Sequence, residues 1–387
     1  MKNICVITGT RAEYGLLRRT LEEIKESKKL NLKLVVTASH LSSEFGSTVN
    51  QIKNDRFKIT RKLETLLSSD TPVGVSKTVG LGIIGFADIF DNIKPDLIIL
   101  TGDRYEMLSA AIAAMFQNIP MAHIHGGENS EGAYDEAIRH SITKMASLHL
   151  VANHEYRKRV IQLGENPTTV HIVGGLGVDN IKKNKLLSKK TLEKKLKIKF
   201  LNKNLLITYH PETVGNNSNL KDFKELLLSL QKLEDTNLIF TMPNADHNSR
   251  SLIDEIKKFV SSNKNAVFFK SVGQLNYFSL VSKVDGVIGN SSSGISEVPS
   301  FKKPTINIGD RQKGRIKASN VIDCRANRAE ITRAIKKIYS KNFNQKLEFV
   351  INPYGSGGAS KKIIKLLEKN NLNINLKKSF YDINFRV

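Results

Sequence analysis

A chain of 387 residues with 40% hydrophobic positions, 17 Phe, 9 Tyr and no Trp is too apolar for wholesale disorder and too long for one ordinary core, so two domains flanking a cleft are expected. Its 60 Lys plus Arg against 37 Asp plus Glu give a net charge of +23, which would draw any polyanion. The excess is mostly lysine scattered through helical and linker stretches such as 182–199, without the aromatic interleaving of a single-strand platform; no nucleic-acid partner is expected, and an anionic small substrate fits the field.

In chain order, Asn3 to Thr8 is an apolar run too short for a signal peptide, and we find no run near the roughly 18 residues of a membrane span. A cytoplasmic protein, neither exported nor embedded in a membrane, is expected. Cys5 in the first strand and Cys324 after a later apolar run suit a reducing compartment and suggest neither a disulfide framework nor a metal site. Short apolar runs bounded by Gly, Asn or Asp fall at 4–8, 32–37, 97–101, 121–124, 148–152 and 170–173. They alternate with helical patterns such as 106–116, stopped by Asn118-Ile119-Pro120, which is the rhythm of βα units on a parallel sheet. After Gly174-Gly175-Leu176-Gly177 and a lysine-rich helical stretch over 180–201, the rhythm restarts at 205–208, 238–241, 266–269, 286–288 and 305–308. The expected domains are 1–180 and 181–359, followed by a helix and tail at 360–387 that returns to the first domain after the glycine-rich 353–358. The fold class is α/β, with two Rossmann-like doubly wound domains facing a cleft, and ligands are expected at the carboxyl ends of the strands.

Five motifs follow predicted strands: Gly9-Thr10-Arg11, Gly102-Asp103-Arg104, His125-Gly126-Gly127-Glu128, His210-Pro211-Glu212 and Asn290-Ser291-Ser292-Ser293-Gly294. Arg11 sits in a turn without the spacing of a dinucleotide fingerprint or P-loop, so it reads as a direct phosphate ligand or as a surface ion-pair partner. Asp103 lies at the mouth of a buried sheet, where desolvation or Arg104 can tune its carboxyl; the plainer alternative is a helix cap. His125, Glu128, Asp135 and Arg139 form the densest group. Asp135 and Arg139 share a helix face, so the arginine can orient the acid, meet a substrate phosphate or close a surface ion pair. His123-x-His125 beside carboxylates has the residue types of a metal site, yet His123 reads equally as a histidine buried at the sheet edge, and no metal is expected. His210 is presented from a strand end, opposite Asp103 in the repeated architecture. Ser291, Ser292, Ser293 and Gly294 offer N–H groups and hydroxyls to a diphosphate at a helix start, with Glu297 one turn deeper to accept from ribose hydroxyls, although a serine-rich cap needs no ligand. Arg311 and Arg315, after the next strand, are candidates for base or diphosphate contact.

Taken together, Gly9-Thr10-Arg11-Ala12-Glu13-Tyr14, Gly102-Asp103-Arg104, His123-Ile124-His125-Gly126-Gly127-Glu128, Asp135-Glu136-Ala137-Ile138-Arg139-His140, His210-Pro211, Asn290 to Glu297 and Arg311-Gln312 to Arg315 resemble the hydrolysing UDP-N-acetylglucosamine 2-epimerases of sialic-acid-type (nonulosonate) biosynthesis. The resemblance runs in unbroken order over about residues 3 to 360. It implies a glycosyltransferase-B-like pair of domains, a homo-oligomer (dimer or tetramer), no cofactor, and conversion of UDP-N-acetylglucosamine and water to N-acetylmannosamine and UDP. By resemblance Asp103, Asp135 and His210 match catalytic positions, Arg139 the arginine beside them, and Ser291, Ser292, Glu297 and Arg311 nucleotide contacts. Many relatives carry His-x-Glu-Gly-Gly where this chain has His125, so Glu128 or His125 must supply that role. The implied chemistry is elimination to a 2-acetamidoglycal, with a carboxylate such as Asp103 taking the C2 proton, followed by hydration with Asp135, Glu128 or His125 serving the other proton transfers. Arg11, His210, Arg139 and the Ser291 turn would stabilise the leaving diphosphate. The alternatives are the same reaction on a UDP- or GDP-linked 2,4-diacetamido-2,4,6-trideoxyhexose of legionaminic acid biosynthesis, a retaining glycosyltransferase, and a non-catalytic polyanion- or nucleotide-sugar-binding protein.

Overall fold

The computed structural model describes residues 1–67, 69, 71–131, 134–183, 185–212, 219–243, 249–369, 374 and 376–384. The chain divides into two compact units, the first made of Met1–Glu128, Asp135–Asn180 and Tyr354–Val387, the second of Asn129–Tyr134 and Ile181–Pro353.

In the first unit, β1 (Lys2–Thr8), β2 (Leu30–Thr37), β3 (Ile59–Leu63), β4 (Leu97–Thr101), β5 (Met121–Ile124), β6 (Leu148–Val151) and β7 (Val170–Ile172) form a seven-stranded sheet in the order β3-β2-β1-β4-β5-β6-β7, every pair parallel. The strands read as continuous apolar runs because both faces are covered. Ile4 and Val6 of β1 enter one core with Leu17, Leu21 and Ile24 of the helix Arg11–Glu26. Cys5 and Ile7 enter the opposite core with Phe86 and Phe90 of the helix Pro72–Ile93 and Met107 of the helix Tyr105–Phe116. Leu97 and Ile99 of β4 divide from Ile98 and Leu100 in the same way, as a two-residue period requires. Each such fully buried aliphatic side chain contributes about 1.5–3 kcal/mol. The helix Ala359–Leu367 places Ala359, Ile363 and Leu367 in the core of the Arg11–Glu26 helix. The Asp179 carboxylate accepts from its first amides, Ala359 N at 2.8 Å and Ser360 N at 2.6 Å.

In the second unit, β8 (Lys203–Thr208), β9 (Thr236–Thr241), β10 (Ala266–Phe269), β11 (Gly286–Gly289), β12 (Thr305–Ile308) and β13 (Val321–Cys324) run parallel in the order β10-β9-β8-β11-β12-β13. Leu205 and Ile207 of β8 enter one core and Leu206 the other. Both sheets have the doubly wound order, with the direction of winding reversing between β1 and β4 and again between β8 and β11. That topology makes β8 the counterpart of β1. His210 therefore corresponds to the Gly9–Arg11 turn, and it is Asn290 and Ser291 after β11 that correspond to Asp103, which corrects the pairing expected from sequence.

Other expectations change in detail. The 180–201 stretch is two helices, Leu176–Lys183 and Lys189–Leu196, with Asn184 outside the described residues. The unit boundary falls at Pro353 instead of 359, since Tyr354 is buried with its hydroxyl 2.8 Å from that of Tyr156. Parts of the expected tail, 370–373, 375 and 385–387, lie outside the described residues. The helix Pro72–Ile93, with 22 residues and a mean hydropathy of 1.5 over its most apolar window, is long and apolar enough to cross a membrane, contrary to the sequence reading. Its glycines and isolated Lys77 and Asp88 break the visual run, while the averaged hydropathy stays high.

Candidate active site

In the first unit the ends of the adjacent strands β1, β4 and β5 deliver Gly9–Arg11, Gly102–Arg104 and His125–Glu128 to one side of the sheet. The chain leaves β4 through Gly102, whose φ of +78° suits only glycine without strain. Its N–H donates to the Ile124 carbonyl at 3.0 Å, and its own carbonyl accepts from His123 Nε2 at 2.8 Å. Since a carbonyl can only accept, Nε2 carries the proton, and Nδ1 accepts from the Thr143 hydroxyl at 3.0 Å. Burial pushes His123 down to about 3, so the imidazole is neutral. With both ring nitrogens occupied His123 is no metal ligand, and among the described residues no group of three His, Cys, Asp or Glu is placed to hold a metal ion.

The pinned turn presents Asp103. Its Oδ2 accepts from Nη2 of Arg139, which projects from the helix Asp135–Met145 and is fully buried. Nη1 of the same guanidinium donates to the Glu128 carbonyl at 2.8 Å and to Glu136 Oε2 at 3.1 Å. Arg139 therefore ties three chain segments together, with Asp103 as a partner that four-residue helical spacing does not reveal. Glu128 is buried, and its Oε1 lies 2.7 Å from His125 Nδ1. His125 has a φ of +68°, a left-handed conformation that costs a non-glycine residue about 1–2 kcal/mol and is retained only where its surroundings impose it. The surroundings are visible: a Cβ on Gly127 would collide with the Tyr156 carbonyl, so the chain turns sharply there. His125 Nε2 is buried and has no partner among the described residues. Asp135 is half-buried at the first position of its helix.

Two acids missed in the sequence lie beside this group. Glu13 Oε2 accepts from Gly9 N at 2.9 Å, and Arg104 Nε donates to Glu106 Oε1 at 3.1 Å. Both carboxyls are buried, and burial followed by repulsion from Glu106 pushes Glu13 up to about 8. Thr10 followed three residues later by Glu13 is a capping-box signature that announces the turn, though not its proton.

In the second unit, the strand ends of β8, β11 and β12 carry His210, Asn290–Ser293 and Gly309–Arg311. Asn290 is fully buried and bridges to the His210 backbone in both directions, accepting from its N at 2.7 Å and donating to its O at 2.8 Å. Gln312 Nε2 donates to the Asn290 carbonyl at 2.9 Å, and Arg311 is nearly buried beside it. Glu212 Oε1 accepts from the N–H groups of Asp310 and Arg311 at 3.0 and 3.1 Å, and burial raises its carboxyl above the usual range. The serine turn differs from expectation. The helix Ser293–Ser296 is a single turn, too short for an appreciable macrodipole, so any anion would be met by individual N–H groups and hydroxyls of Ser291 to Ser293. Glu297 accepts from the Ser293 hydroxyl, and that hydroxyl accepts from Tyr277 at 2.8 Å. Arg315 is engaged with the backbone of Asn129 at 3.0 Å and the hydroxyl of Ser130 at 3.3 Å, within its own unit.

Residues 22–368 match the UDP-N-acetylglucosamine 2-epimerase family. Over 384 residues, 99% of each chain, the sequence is 43% identical to the GDP/UDP-N,N'-diacetylbacillosamine 2-epimerase (hydrolyzing) of Campylobacter jejuni. The chain belongs to the UDP-N-acetylglucosamine 2-epimerase family. A second relative, the polysialic acid biosynthesis protein P7 of Escherichia coli, is 38% identical over 385 residues, 99% of this chain and 98% of that one. Among solved structures, the Neisseria meningitidis UDP-GlcNAc 2-epimerase bound to UDP-GlcNAc superposes with a TM-score of 0.81 at 21% identity, covering 96% of this chain and 100% of that one. The family's glycosyltransferase-B-like, two-domain α/β fold is thus the fold of this chain.

Proposed function

We propose that this family member is a hydrolysing 2-epimerase of a nucleoside-diphosphate-linked 2,4-diacetamido-2,4,6-trideoxyhexose. The carrying observation is the Asp103–Arg139–Glu128–His125 network around the buried Arg139 and Glu128; in this reading its carboxylate and imidazole serve proton transfer with no metal in the scheme. The relative's name at 43% identity favours the diacetamido sugar. From sequence alone UDP-N-acetylglucosamine came first; it is retained as the second reading because the family description and the polysialic acid relative favour it.

Each step balances. The C1–O bond breaks, its electron pair leaving on the diphosphate, while Asp103 accepts the proton from C2 and a C1–C2 double bond forms. Water then adds across the double bond: its oxygen bonds to C1, a proton reaches C2 from the opposite face from His125 Nε2, Glu128 or Asp135, the proton released by the water restores that donor, and Asp103 gives up its proton to the departing diphosphate or to solvent. In this proposal Arg11, His210, Ser291 to Gly294, Glu297 and Arg311 bind the nucleotide, and each proton-transfer group is worth about 10² to 10⁴ in rate. Arg315, which also contacts Asn129 and Ser130, is kept in this proposal as a contact to the base or diphosphate. A nucleotide-sugar substrate and two free cysteines support a cytoplasmic enzyme.

We assign a second copy of the chain as partner for the helix Pro72–Ile93, where Val73 and Ile84 are 63% and 65% exposed; Phe116, at the end of the helix Tyr105–Phe116 packed against it, is 77% exposed. The test of activity is incubation with each sugar nucleotide in D₂O, followed by NMR. Expected are free nucleoside diphosphate and a C2-inverted sugar carrying deuterium at C2, faster from the diacetamido substrate. Product without deuterium would remove the proton-abstraction scheme, and faster turnover of UDP-N-acetylglucosamine would exchange the two readings.

A further inference from the structure

The strand ends that carry Asp103 and His125 are one side of the first unit's sheet. At the other side, where β6 and β7 begin, lies a cavity of about 580 Å³ whose lining includes Ser147, Thr168, Thr169, His171, Lys369 and Lys377. No residue of the candidate active site lines it.

The cavity's charge is unbalanced. Its one lining carboxylate, Glu165, is already saturated, accepting from Lys144 Nζ at 2.7 Å, His149 Nε2 at 2.9 Å and Lys378 Nζ at 2.6 Å. Burial opposes its ionisation, yet these hydrogen bonds hold it at about 2, so it stays charged and neutralised in place. The Lys369 ammonium has no acceptor among the described residues. Half-buried His171 is held below its ordinary value first by burial and then by the positive charge of Lys369 and Arg157, which registers the sign of the local field. Hydroxyls of Ser147, Thr168, Thr169 and Ser379 and the amide of Asn166 supply the polar remainder. The unpaired Lys369 ammonium, next to several hydroxyls in a space large enough for a phosphorylated or acidic monosaccharide, makes a site for a hydroxylated anion.

One wall of the cavity also touches the chemistry. Besides Glu165, Lys378 Nζ donates to the carbonyls of Lys144 at 2.8 Å and Ala146 at 2.6 Å, the unsatisfied end of the helix Asp135–Met145. That helix starts with Asp135 and carries Arg139, which holds Asp103. We propose that the cavity between the start of β6–β7 and the Lys377–Lys378 segment binds a small hydroxylated carboxylate or phosphate, and that its occupancy is felt through Lys378 by the helix bearing Asp135 and Arg139.

Calorimetric titration of the full chain with gluconate and with glucose 6-phosphate, at ionic strength fixed with NaCl, separates the two anion types. One-to-one binding of either probe is expected, weakened at least tenfold by Lys369→Glu, with Lys369→Ala intermediate and Ser292→Ala unchanged. Hydrogen exchange adds a second measurement: occupancy is expected to change exchange of amides 142–146 at the helix end. Heat that scales with salt alone and is the same in Lys369→Glu, or binding displaced by UDP, would overturn the site; binding without any change at 142–146 would overturn the link to the helix. Because the readout is binding, the result stands apart from whether the enzyme turns over either sugar nucleotide.

Discussion

Asp103→Asn is the substitution whose consequences the structure sets most tightly, because it removes both the proposed base and one partner of a fully buried guanidinium. Removing one member of a buried ion pair costs about 3–5 kcal/mol when the other is stranded. Arg139 is not stranded here: it keeps the Glu128 carbonyl and Glu136, and the introduced asparagine retains an amide oxygen where the carboxylate was. The Asp103 side chain is also 20% exposed, so water relieves part of the loss. The expected cost falls to that of one hydrogen bond to a charged group, about 1.5–3 kcal/mol, which lowers the melting temperature of a unit of this size by about 3–12 °C. Arg139→Met is expected to cost more, about 3–5 kcal/mol, since it leaves two carboxylates and a buried carbonyl without their donor. Scanning fluorimetry, UDP titration and turnover of the same preparations read the three quantities separately. In Asp103→Asn turnover should fall by about 10² to 10⁴ with UDP affinity within about threefold. Turnover within tenfold of the parent in a folded protein would refute Asp103 as the base, and a loss of UDP affinity equal to the loss of rate would make it a binding residue.

Three further outcomes are expected. Glu13 binds a proton in the folded state up to about pH 8 and in the unfolded state only up to its ordinary 4.5, so the parent loses stability as pH rises across that window, at up to about 1.4 kcal/mol per unit; the melting-temperature advantage of Glu13→Gln should grow from pH 5 to pH 8, and a constant difference would show that Glu13 is ionised. His123→Phe strands the Gly102 carbonyl and the Thr143 hydroxyl, costing about 1–3 kcal/mol each, and should lower kcat with KM and the pH profile of kcat unchanged; a shifted pH profile would instead put His123 itself in proton transfer. Ile84→Glu on the exposed face of Pro72–Ile93, the surface proposed to meet a second copy, should lower the mass by light scattering to that of one chain; a mass unchanged from the parent, or a parent that is already monomeric, would remove that face from the proposed interface.

The strand runs visible in the sequence each end within one residue of an observed strand end, and the motifs after them sit where expected, because a sheet covered on both faces turns burial directly into apolar runs. The two strands that escaped, β3 and β13, are at sheet edges, where Arg61, Lys62 and Asp323 are tolerated and no continuous apolar run remains. The residues of the site were legible and their partners were not. Arg139 was visible as a neighbour of Asp135 on a helix, but its bond to Asp103 spans 36 positions and depends on strand order. Asn290 stood in a recognised motif without a role, and Glu106 looked like an ordinary first-turn acid of its helix. Pairings of this kind follow from which parallel strands lie side by side, and sequence periodicity carries no information about that.

The Asp103–Arg139 pair also bears on the order of bond changes in the proposed reaction. An ion-paired carboxylate is a weaker proton acceptor than a free one, and the proton at C2 of a saturated sugar is scarcely acidic. A base in this setting becomes adequate only after C1 has begun to lose its leaving group, when positive charge at C1 acidifies the neighbouring C–H. The same guanidinium then helps by keeping the carboxylate ionised until that moment. C1–O cleavage should therefore run ahead of proton transfer. Competition between labelled substrates tests this: an ¹⁸O effect at the C1–O bond close to its full value is expected beside a small deuterium effect at C2. In Arg139→Lys, which keeps the charge but loses the fork that reaches Asp103, the Glu128 carbonyl and Glu136 together, a less tightly paired Asp103 is the better proton acceptor, so the deuterium effect should not rise. A large deuterium effect in the parent enzyme, with little ¹⁸O effect, would mean that Asp103 removes the proton first and that the buried arginine does not weaken it.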